Sequence, residues 1–259
     1  MKFIGVDLGW RTGASGLSCL QWQGNQLHLL ETTCRQSLAE ILAWIDEKLP
    51  LGEAGLVAVD APTLIPNATG TRLPDRLTHR YFGKYHAGCY PANLGRPFAE
   101  RTVKMGLKLE QRGFVHAPTI QPQQPRRYQI EVFPHPAMVH LFGLEQILKY
   151  KKGKLNDRKQ EITKLQAYLQ TVLPSLTPAV RFTDSNADLW QSPASLTGPK
   201  LKVLEDQLDS LVCAYVGAHW WHWGAEKNWV LGDYDHGYIV VPTPNKKSPT
   251  MEGQAQFIQ

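Results

Sequence analysis

Three short apolar runs each carry an acidic residue at or next to their carboxyl end. Asp7 and Asp60 close the first two runs, and Glu131 lies one residue before the end of the third. Such runs are typical of buried strands in a parallel sheet, and an open α/β fold places its site at the carboxyl ends of those strands. Carboxylates are costly to hold together without a cation or a shared proton. The sequence therefore predicts a site for Mg²⁺ or Mn²⁺, which prefer oxygen ligands.

Two further acids, Asp206 and Asp209, lie three residues apart on a predicted helix over 199–221 and therefore share one of its faces. Small residues at neighbouring positions would let this helix approach the sheet closely. Asp206 can also be an ordinary solvated charge, and Asp7 or Asp60 can each hold a turn. A structural role accounts for any single acid. It does not account for three strand-end acids together with two helical ones.

Histidine and cysteine add less to the predicted chemistry. His135 stands between two prolines just beyond the third acidic run and could shuttle a proton to a leaving group, although a structural role is the commoner one. His86 and Cys89 have the spacing of a zinc half-site, but no second pair completes it. The cysteines are scattered, and the sequence shows neither a secretory leader nor a long apolar span. We therefore expect a cytoplasmic protein without a membrane segment.

Length and charge suggest one domain with a basic insertion. The chain has 259 residues, of which 42% are hydrophobic and 20% charged, so it can bury one large core. We predict a single domain over 1–242, with an inserted subdomain or lid over 67–127 and a disordered tail over 243–259. The insertion holds eleven basic and three acidic residues, and thus the whole basic excess of a chain with net charge +5. This asymmetry favours a polyanionic partner, DNA or RNA.

The basic residues that could contact phosphates fall into two groups. Three arginines of the insertion recur every four residues and would form one stripe if that stretch is helical, although a solvated face is an equal alternative. A basic turn over 149–154 supplies the second group. The candidate nucleic-acid contacts are Arg72, Arg76, Arg80, Lys84, Lys151 and Lys152. Aromatic residues interleaved with the first group, such as Tyr90, could stack on unpaired bases or form a small core.

The remaining pattern predicts the elements that position these residues. Predicted strands are 2–7, 15–22, 26–33, 56–60 and 128–133, with a hairpin of 229–231 and 238–241 near the end. Predicted helices are 38–49, 137–142, 158–173 and 199–221, with a possible helix at 96–112 and a loop over 174–198. Short turns make the first three strands an antiparallel meander. The crossover helix makes the fourth strand parallel to the first.

This order of elements is that of the ribonuclease-H-like arrangement, and several short motifs resemble one branch of it. The motifs are Gly-Val-Asp (5–7), Val-Asp-Ala-Pro (59–62), Glu-Val-Phe-Pro-His (131–135), Tyr-Lys-Lys-Gly (150–153) and Asp-x-x-Asp-Ser-Leu-Val (206–212). Together they resemble the domain of unknown function family 429, the predicted ribonuclease-H-like nucleases. The resemblance implies an α/β, ribonuclease-H-like fold: a mixed five-stranded sheet flanked by helices, with a basic insertion after the fourth strand.

The resemblance also implies an activity and its residues. Asp7, Asp60 and Asp209, helped by Asp206, would bind two metal ions that hydrolyse a phosphodiester. Glu131, the fourth candidate catalytic acid, lies one strand further out, where it could ligate a metal, orient a water or pair with a basic residue.

Two alternative functions remain open from the sequence. One is a nucleic-acid-binding protein without catalysis, in which the acids are structural. The other is an actin-like or sugar-kinase-like phosphotransferase, because Asp7-Leu8-Gly9 matches the Asp-x-Gly with which such proteins open. That class needs a duplicated domain, and the sequence shows no second Asp-x-Gly followed by a strand meander. Neither the kind of nucleic acid nor the oligomeric state follows from the sequence.

Overall fold

The computed structural model of the chain describes residues 1–10 and 13–245. Its strands are β1 (Lys2–Asp7), β2 (Ser15–Gln23), β3 (Gln26–Arg35), β4 (Gly55–Val59), β5 (Val115–His116), β6 (Arg127–Glu131), β7 (Val180–Arg181), β8 (Asn228–Asp233) and β9 (Gly237–Pro242). Its α-helices are α1 (Leu38–Lys48), α2 (Leu73–Phe82), α3 (Ala99–Glu110), α4 (Pro134–Phe142), α5 (Leu155–Val172) and α6 (Gly198–Trp223). Residues 246–259, most of the predicted tail, lie outside the described part.

Seven strands form one sheet in the order β5-β6-β4-β1-β2-β3-β7, and β8 pairs with β9 in a separate hairpin. The β1–β2 and β2–β3 pairs are antiparallel. The β1–β4, β4–β6, β5–β6 and β3–β7 pairs are parallel. The carboxyl ends of β1, β4 and β6 therefore lie side by side at one edge of the sheet.

The predicted α/β architecture, a mixed sheet flanked by helices, is confirmed, but the predicted strand count of five is wrong. The two additional strands, β5 and β7, lie at the two outer edges of the sheet. Each has only two residues. A strand that short shows no alternation of apolar and polar residues, so its pairing is decided by the sheet beside it.

The basic insertion packs onto the main sheet. Phe82 of α2 belongs to the core on one side of the sheet, and Met105 of α3 belongs to the core on the other side. The strand β5 extends the sheet by pairing with β6. A small separate cluster around Ile65 and Phe98 forms apart from these two cores.

Side-chain alternation divides the two faces of the sheet. Phe3 packs in the same core as α6, whereas Ile4 and Val6 pack in the opposite core with α1. On β4, Leu56 and Ala58 belong to the α6 side. Because alternate residues of a strand share a face, this parity directs Asp7 and Asp60 toward α6.

The helix α6 is buried along most of its length and lies almost directly on β1 and β2. A Cβ atom at Gly5 would lie 1.9 Å from the carbonyl oxygen of Ser210, and one at Gly16 would lie 1.9 Å from that of Asp206. The strands, through these two glycines, therefore allow the close approach that the sequence attributed to small residues of the helix. Within residues 1–10 and 13–245, no helix combines the length and apolar character needed to span a membrane.

We predict that Gly5→Ala strongly destabilises the protein. The new methyl group would collide with backbone atoms of α6, which cannot rotate away, so the loss in free energy of unfolding should reach or exceed about 3 kcal/mol. Urea denaturation measures this loss. Gly198→Ala, at the start of the same helix, is the matched control because nothing lies within 4 Å of the added Cβ. Equal stability of the two variants would contradict the close packing.

Candidate active site

A cavity of about 470 Å³ opens at the sheet edge where β1, β4 and β6 end. Most of the residues predicted for the site line it or lie directly beneath it. The charged and titratable side chains that line it include Asp7, Asp60, Arg72, Asp75, Glu131, His135, Lys151, Lys202 and Asp206. Asp209 is fully buried below this surface. The residues predicted from the sequence therefore indicate where the cavity lies, but they do not include all of the side chains that line it.

Four acids of the predicted set converge between the sheet and α6. Asp7 is the last residue of β1, and Asp60 follows β4, where its backbone N–H donates to the carbonyl of Val6 at 2.8 Å. Asp206 and Asp209 approach from α6. Charge interactions between Asp7 and the other three acids raise the pKa of Asp7, in addition to the larger effect of its burial.

The ammonium group of Lys151 lies among these acids. Its Nζ atom is 2.7 Å from Oδ2 of Asp209, and its side chain keeps 31% of its surface exposed. Burial lowers the pKa of Lys151, but the carboxylates of Asp209, Asp7 and Asp60 outweigh this effect and raise it well above its ordinary value. Lys151, predicted as a nucleic-acid contact, thus lies at the acid cluster, whereas its neighbour Lys152 is exposed.

A set of contacts that the sequence did not reveal holds Lys151 in place. The hydroxyl of Tyr150 donates to Oδ1 of Asp209 at 2.6 Å. Nε of Arg158 donates to the carbonyl of Tyr150 at 2.8 Å, and its guanidinium forms an ion pair with Glu205 of α6 at 3.0 Å. The only signal in the sequence was the Tyr-Lys-Lys-Gly motif. The partners of that motif are distant along the chain.

Burial raises the pKa of both Asp7 and Asp206. Lys151 opposes the increase at Asp7, and Lys202 opposes it at Asp206, where a hydrogen-bonding interaction with Asp7 also lowers the pKa. Nζ of Lys202 lies 2.6 Å from Oδ1 of Asp206. Two ammonium groups, those of Lys151 and Lys202, thus offset the negative charge of the cluster.

His135 lies in the cavity wall as a neutral base. Burial, with a further contribution from Lys151, lowers its pKa to about 4. Its Nδ1 atom is buried and has no hydrogen-bond partner among the described residues. The proton-shuttle role remains a prediction, and at neutral pH this imidazole could accept a proton but has none to give as an imidazolium.

Glu131 lines the same cavity from the end of β6, the next strand beyond β4. In the parallel pairing it is aligned with Val59, the residue before Asp60. Its two carboxylate oxygens accept from Arg72 at 2.7 and 2.8 Å. Of the three roles open to Glu131, pairing with a basic residue is the one observed.

Arg72 consequently does not belong to an exposed stripe with Arg76 and Arg80. It is only 3% exposed, and its guanidinium also forms an ion pair with Asp75 at 2.9 Å. Arg76 and Arg80 are exposed on α2. The predicted stripe is therefore wrong at its first position, because Arg72 precedes the helix and points inward to two buried carboxylates.

The acids suit a hard cation by their chemistry, because Mg²⁺ and Mn²⁺ prefer oxygen donors. Within the described ranges, no three His, Cys, Asp or Glu side chains are placed to hold a metal ion. The buried Oδ2 atom of Asp209 accepts no hydrogen bond of good geometry in that part of the chain, but the Lys151 ammonium lies 2.7 Å from it as an ion pair.

We predict that ionisation of Asp60 removes stability from the protein as the pH rises from 3.8 to about 7. Burial raises the pKa of Asp60 from its ordinary 3.8 to about 7, despite the opposing charge of Lys151. The contribution of Asp60 to the free energy of unfolding is thus complete below pH 3.8 and lost as the pH passes about 7. Asp60→Asn cannot ionise, so its urea-denaturation midpoint should decline less over this interval. The exposed Asp235→Asn is the control, and a slope unchanged in Asp60→Asn would contradict the assignment.

Comparison with known proteins assigns the chain to a family. Residues 5–229 match the family described as "Protein of unknown function (DUF429)". No curated protein matches the chain. The matched segment begins in β1, ends in β8 and includes all the acids of the cavity. Since this segment covers most of the 259 residues, the chain belongs to the domain of unknown function family 429.

Proposed function

We propose that this protein is a metal-dependent nuclease that hydrolyses phosphodiester bonds at the cluster of Asp7, Asp60, Asp206 and Asp209. The observation that carries the proposal is that Asp7, Asp60 and Asp209 surround the single ammonium group of Lys151 at a cavity, while Asp206 beside them pairs with Lys202. Burying this many carboxylates together costs free energy unless the site binds a positive charge.

The arrangement of elements supports a ribonuclease-H-like fold, which is part of the same proposal. The central strands follow the order β3-β2-β1-β4-β6, with an antiparallel meander and two further parallel strands. A late helix, α6, then brings acids to the strand ends. This combination is the one that the resemblance led us to expect for such nucleases.

Mg²⁺ or Mn²⁺ would be held by Asp7, Asp60 and Asp209, with Asp206 beside them. A divalent ion there supplies Lewis-acid stabilisation of the charge that develops on a phosphodiester during hydrolysis. The acids would first have to become free to bind the ion. Asp7 and Asp60, whose pKa values are raised by burial, would have to be ionised, and Lys151 would have to leave the Oδ2 atom of Asp209.

Lys151 is suited to such an exchange of partners. It lies on a turn between α4 and α5, and its side chain reaches the cavity as well as the acids. Once a divalent ion neutralises the acids, the ammonium would be free to contact a phosphate oxygen in the cavity. In this proposal Lys151 is a positioning and charge-balancing residue that occupies the acid cluster before substrate and metal arrive.

The proposed substrate is a nucleic acid, either DNA or RNA. Arg76, Arg80, Lys84 and Lys152 remain the proposed phosphate contacts, because all four are exposed. The guanidinium of Arg80 lies 5.6 Å from the ring centroid of Tyr81, and the ammonium of Lys84 lies 4.8 Å from that of Tyr85. Each ring attracts its cation by a cation–π interaction. Both cations remain at the surface, where they could also contact a phosphate.

A second candidate function is nucleic-acid binding without catalysis. The observation that favours it is the ion pair between Lys151 and Asp209, because a cluster neutralised by the protein's own side chains needs no metal. The two functions differ in a single measurable property, the metal-dependent cleavage of nucleic acid.

We predict that Asp7→Asn abolishes cleavage in the presence of Mn²⁺. Asparagine has nearly the size of aspartate but lacks the charge needed to hold the ion, so the rate should fall by more than about 100-fold. Cleavage is measured on a panel of labelled single-stranded and duplex DNA and RNA. Asp235→Asn, an exposed acid far along the chain, should cut at the wild-type rate. Wild-type cleavage by Asp7→Asn would reject the proposed centre, and a wild-type protein that cuts nothing would favour the binding function.

We also predict that Lys151→Met increases the affinity for Mn²⁺. Removing the competing ammonium should tighten binding by at least about 10-fold, because unit charges at contact distance interact by several kcal/mol near a protein surface. Isothermal titration calorimetry of the protein with Mn²⁺ alone measures this without any reaction. Lys152→Met, which removes the same charge from the exposed neighbouring position, is the control. If both variants bind as the wild type does, Lys151 does not compete with the ion.

A further inference from the structure

A second pocket adjoins the acid-lined cavity, and the proposed hydrolysis does not use it. It has a volume of about 270 Å³ and is lined by Trp10, Tyr90, Arg96, Pro97 and Phe98, which together we call the aromatic pocket. Trp10 and Tyr90 also line the larger cavity, so the two spaces share a wall. A molecule that reaches the acids therefore passes next to these rings.

The three rings of the aromatic pocket differ in exposure. Phe98 is buried, and its ring centroid lies 4.5 Å from that of Trp10 and 6.4 Å from that of Tyr90. Tyr90 is 60% exposed, which is unusual for a large aromatic side chain beside a cavity. Aromatic rings that keep exposed surface around a small pocket can stack on a planar ligand.

Arg96 adds a hydrogen-bond donor to the wall of the aromatic pocket. Its guanidinium lies 5.3 Å from the ring centroid of Tyr90. A guanidinium in a pocket wall can donate to an acceptor that a ligand supplies. Ring nitrogens and keto oxygens of nucleobases are acceptors that arginine binds well.

Trp10 links the aromatic pocket to the acid cluster. Its indole N–H donates to the carbonyl oxygen of Asp60 at 3.4 Å, so the position of the ring depends on the end of β4. A nucleotide whose phosphate lies near Asp60 would then have its base next to Trp10. A base inside a continuous duplex is stacked on both sides and paired at its edge, so it could not enter.

We infer that the aromatic pocket binds the base of an unpaired nucleotide whose phosphate lies at the acid cluster. This inference rests on the proposed function and makes it more specific, because the substrate is then a single strand or a strand with an extruded base. Stacking on Tyr90 and Trp10 supplies affinity that does not depend strongly on sequence, and Arg96 supplies the hydrogen bond.

The test compares binding of two probes to the full chain in EDTA, where metal-dependent cleavage cannot interfere. One probe is a labelled ten-residue oligothymidylate, and the other is an abasic backbone of equal length. For Tyr90→Ala we expect about 5-fold to 150-fold weaker binding of the oligothymidylate, which corresponds to the loss of one stacked base. Its binding of the abasic probe should equal that of the wild type. Tyr234→Ala removes a tyrosine of similar exposure, 55%, from the turn between β8 and β9 and should change neither affinity.

Three results would overturn the inference: equal oligothymidylate binding by Tyr90→Ala and wild type, equal binding of both probes by the wild type, or a preference for the matching duplex. The proposed hydrolysis fails by a different readout, the absence of Mn²⁺-dependent cleavage in the wild type. Base-dependent binding lost in Tyr90→Ala, in a protein that cuts nothing, would keep the aromatic pocket and reject the nuclease. If Tyr90→Ala instead cuts single strands with the rate and KM of the wild type, the nuclease is kept and the aromatic pocket is rejected.

Discussion

The site depends on the close contact between α6 and the two strands β1 and β2. Gly5 and Gly16 leave no side chain between the strands and the helix backbone, so Asp206 and Asp209 of the helix lie close to Asp7 of the sheet. A larger residue at either glycine would move the helix outward and separate its acids from those of the sheet. The geometry of the cluster is thus set by the absence of two side chains, and not by any attraction between the acids, which repel one another.

That repulsion explains the second layer of contacts. The cluster places four carboxyl groups close together, and the protein offsets their charge with the ammonium groups of Lys151 and Lys202. Each of these compensations can be reversed by a stronger cation. A permanent structural ion pair would not need several compensating charges that can each be displaced. For this reason we favour a reactive site over a purely structural one.

A second group of charges in the same cavity is held by direct ion pairs. Arg72 holds Glu131 with both of its terminal nitrogens and also pairs with Asp75, and all three side chains are buried. This pairing ties the insertion to β6 and thereby shapes the wall of the cavity. The aromatic pocket lies in the same inserted segment except for Trp10. The insertion therefore contributes wall and binding surface, while the strands and α6 contribute the acids.

The sequence by itself determined the α/β architecture, the order of the central strands and the presence of acids at their ends. Hydrophobic periodicity and chain order are local properties, and parallel strands necessarily end at one edge. It also led to the predicted joint role of Asp7, Asp60 and the acids of α6. Only the tertiary structure decided that Lys151 points into the cluster and that Arg72 points away from solvent, since both orientations depend on partners 58 and 59 residues away along the chain. A basic residue in a turn or before a helix looks the same in sequence whether it meets water or a buried carboxylate, because the charge that orients it comes from another element.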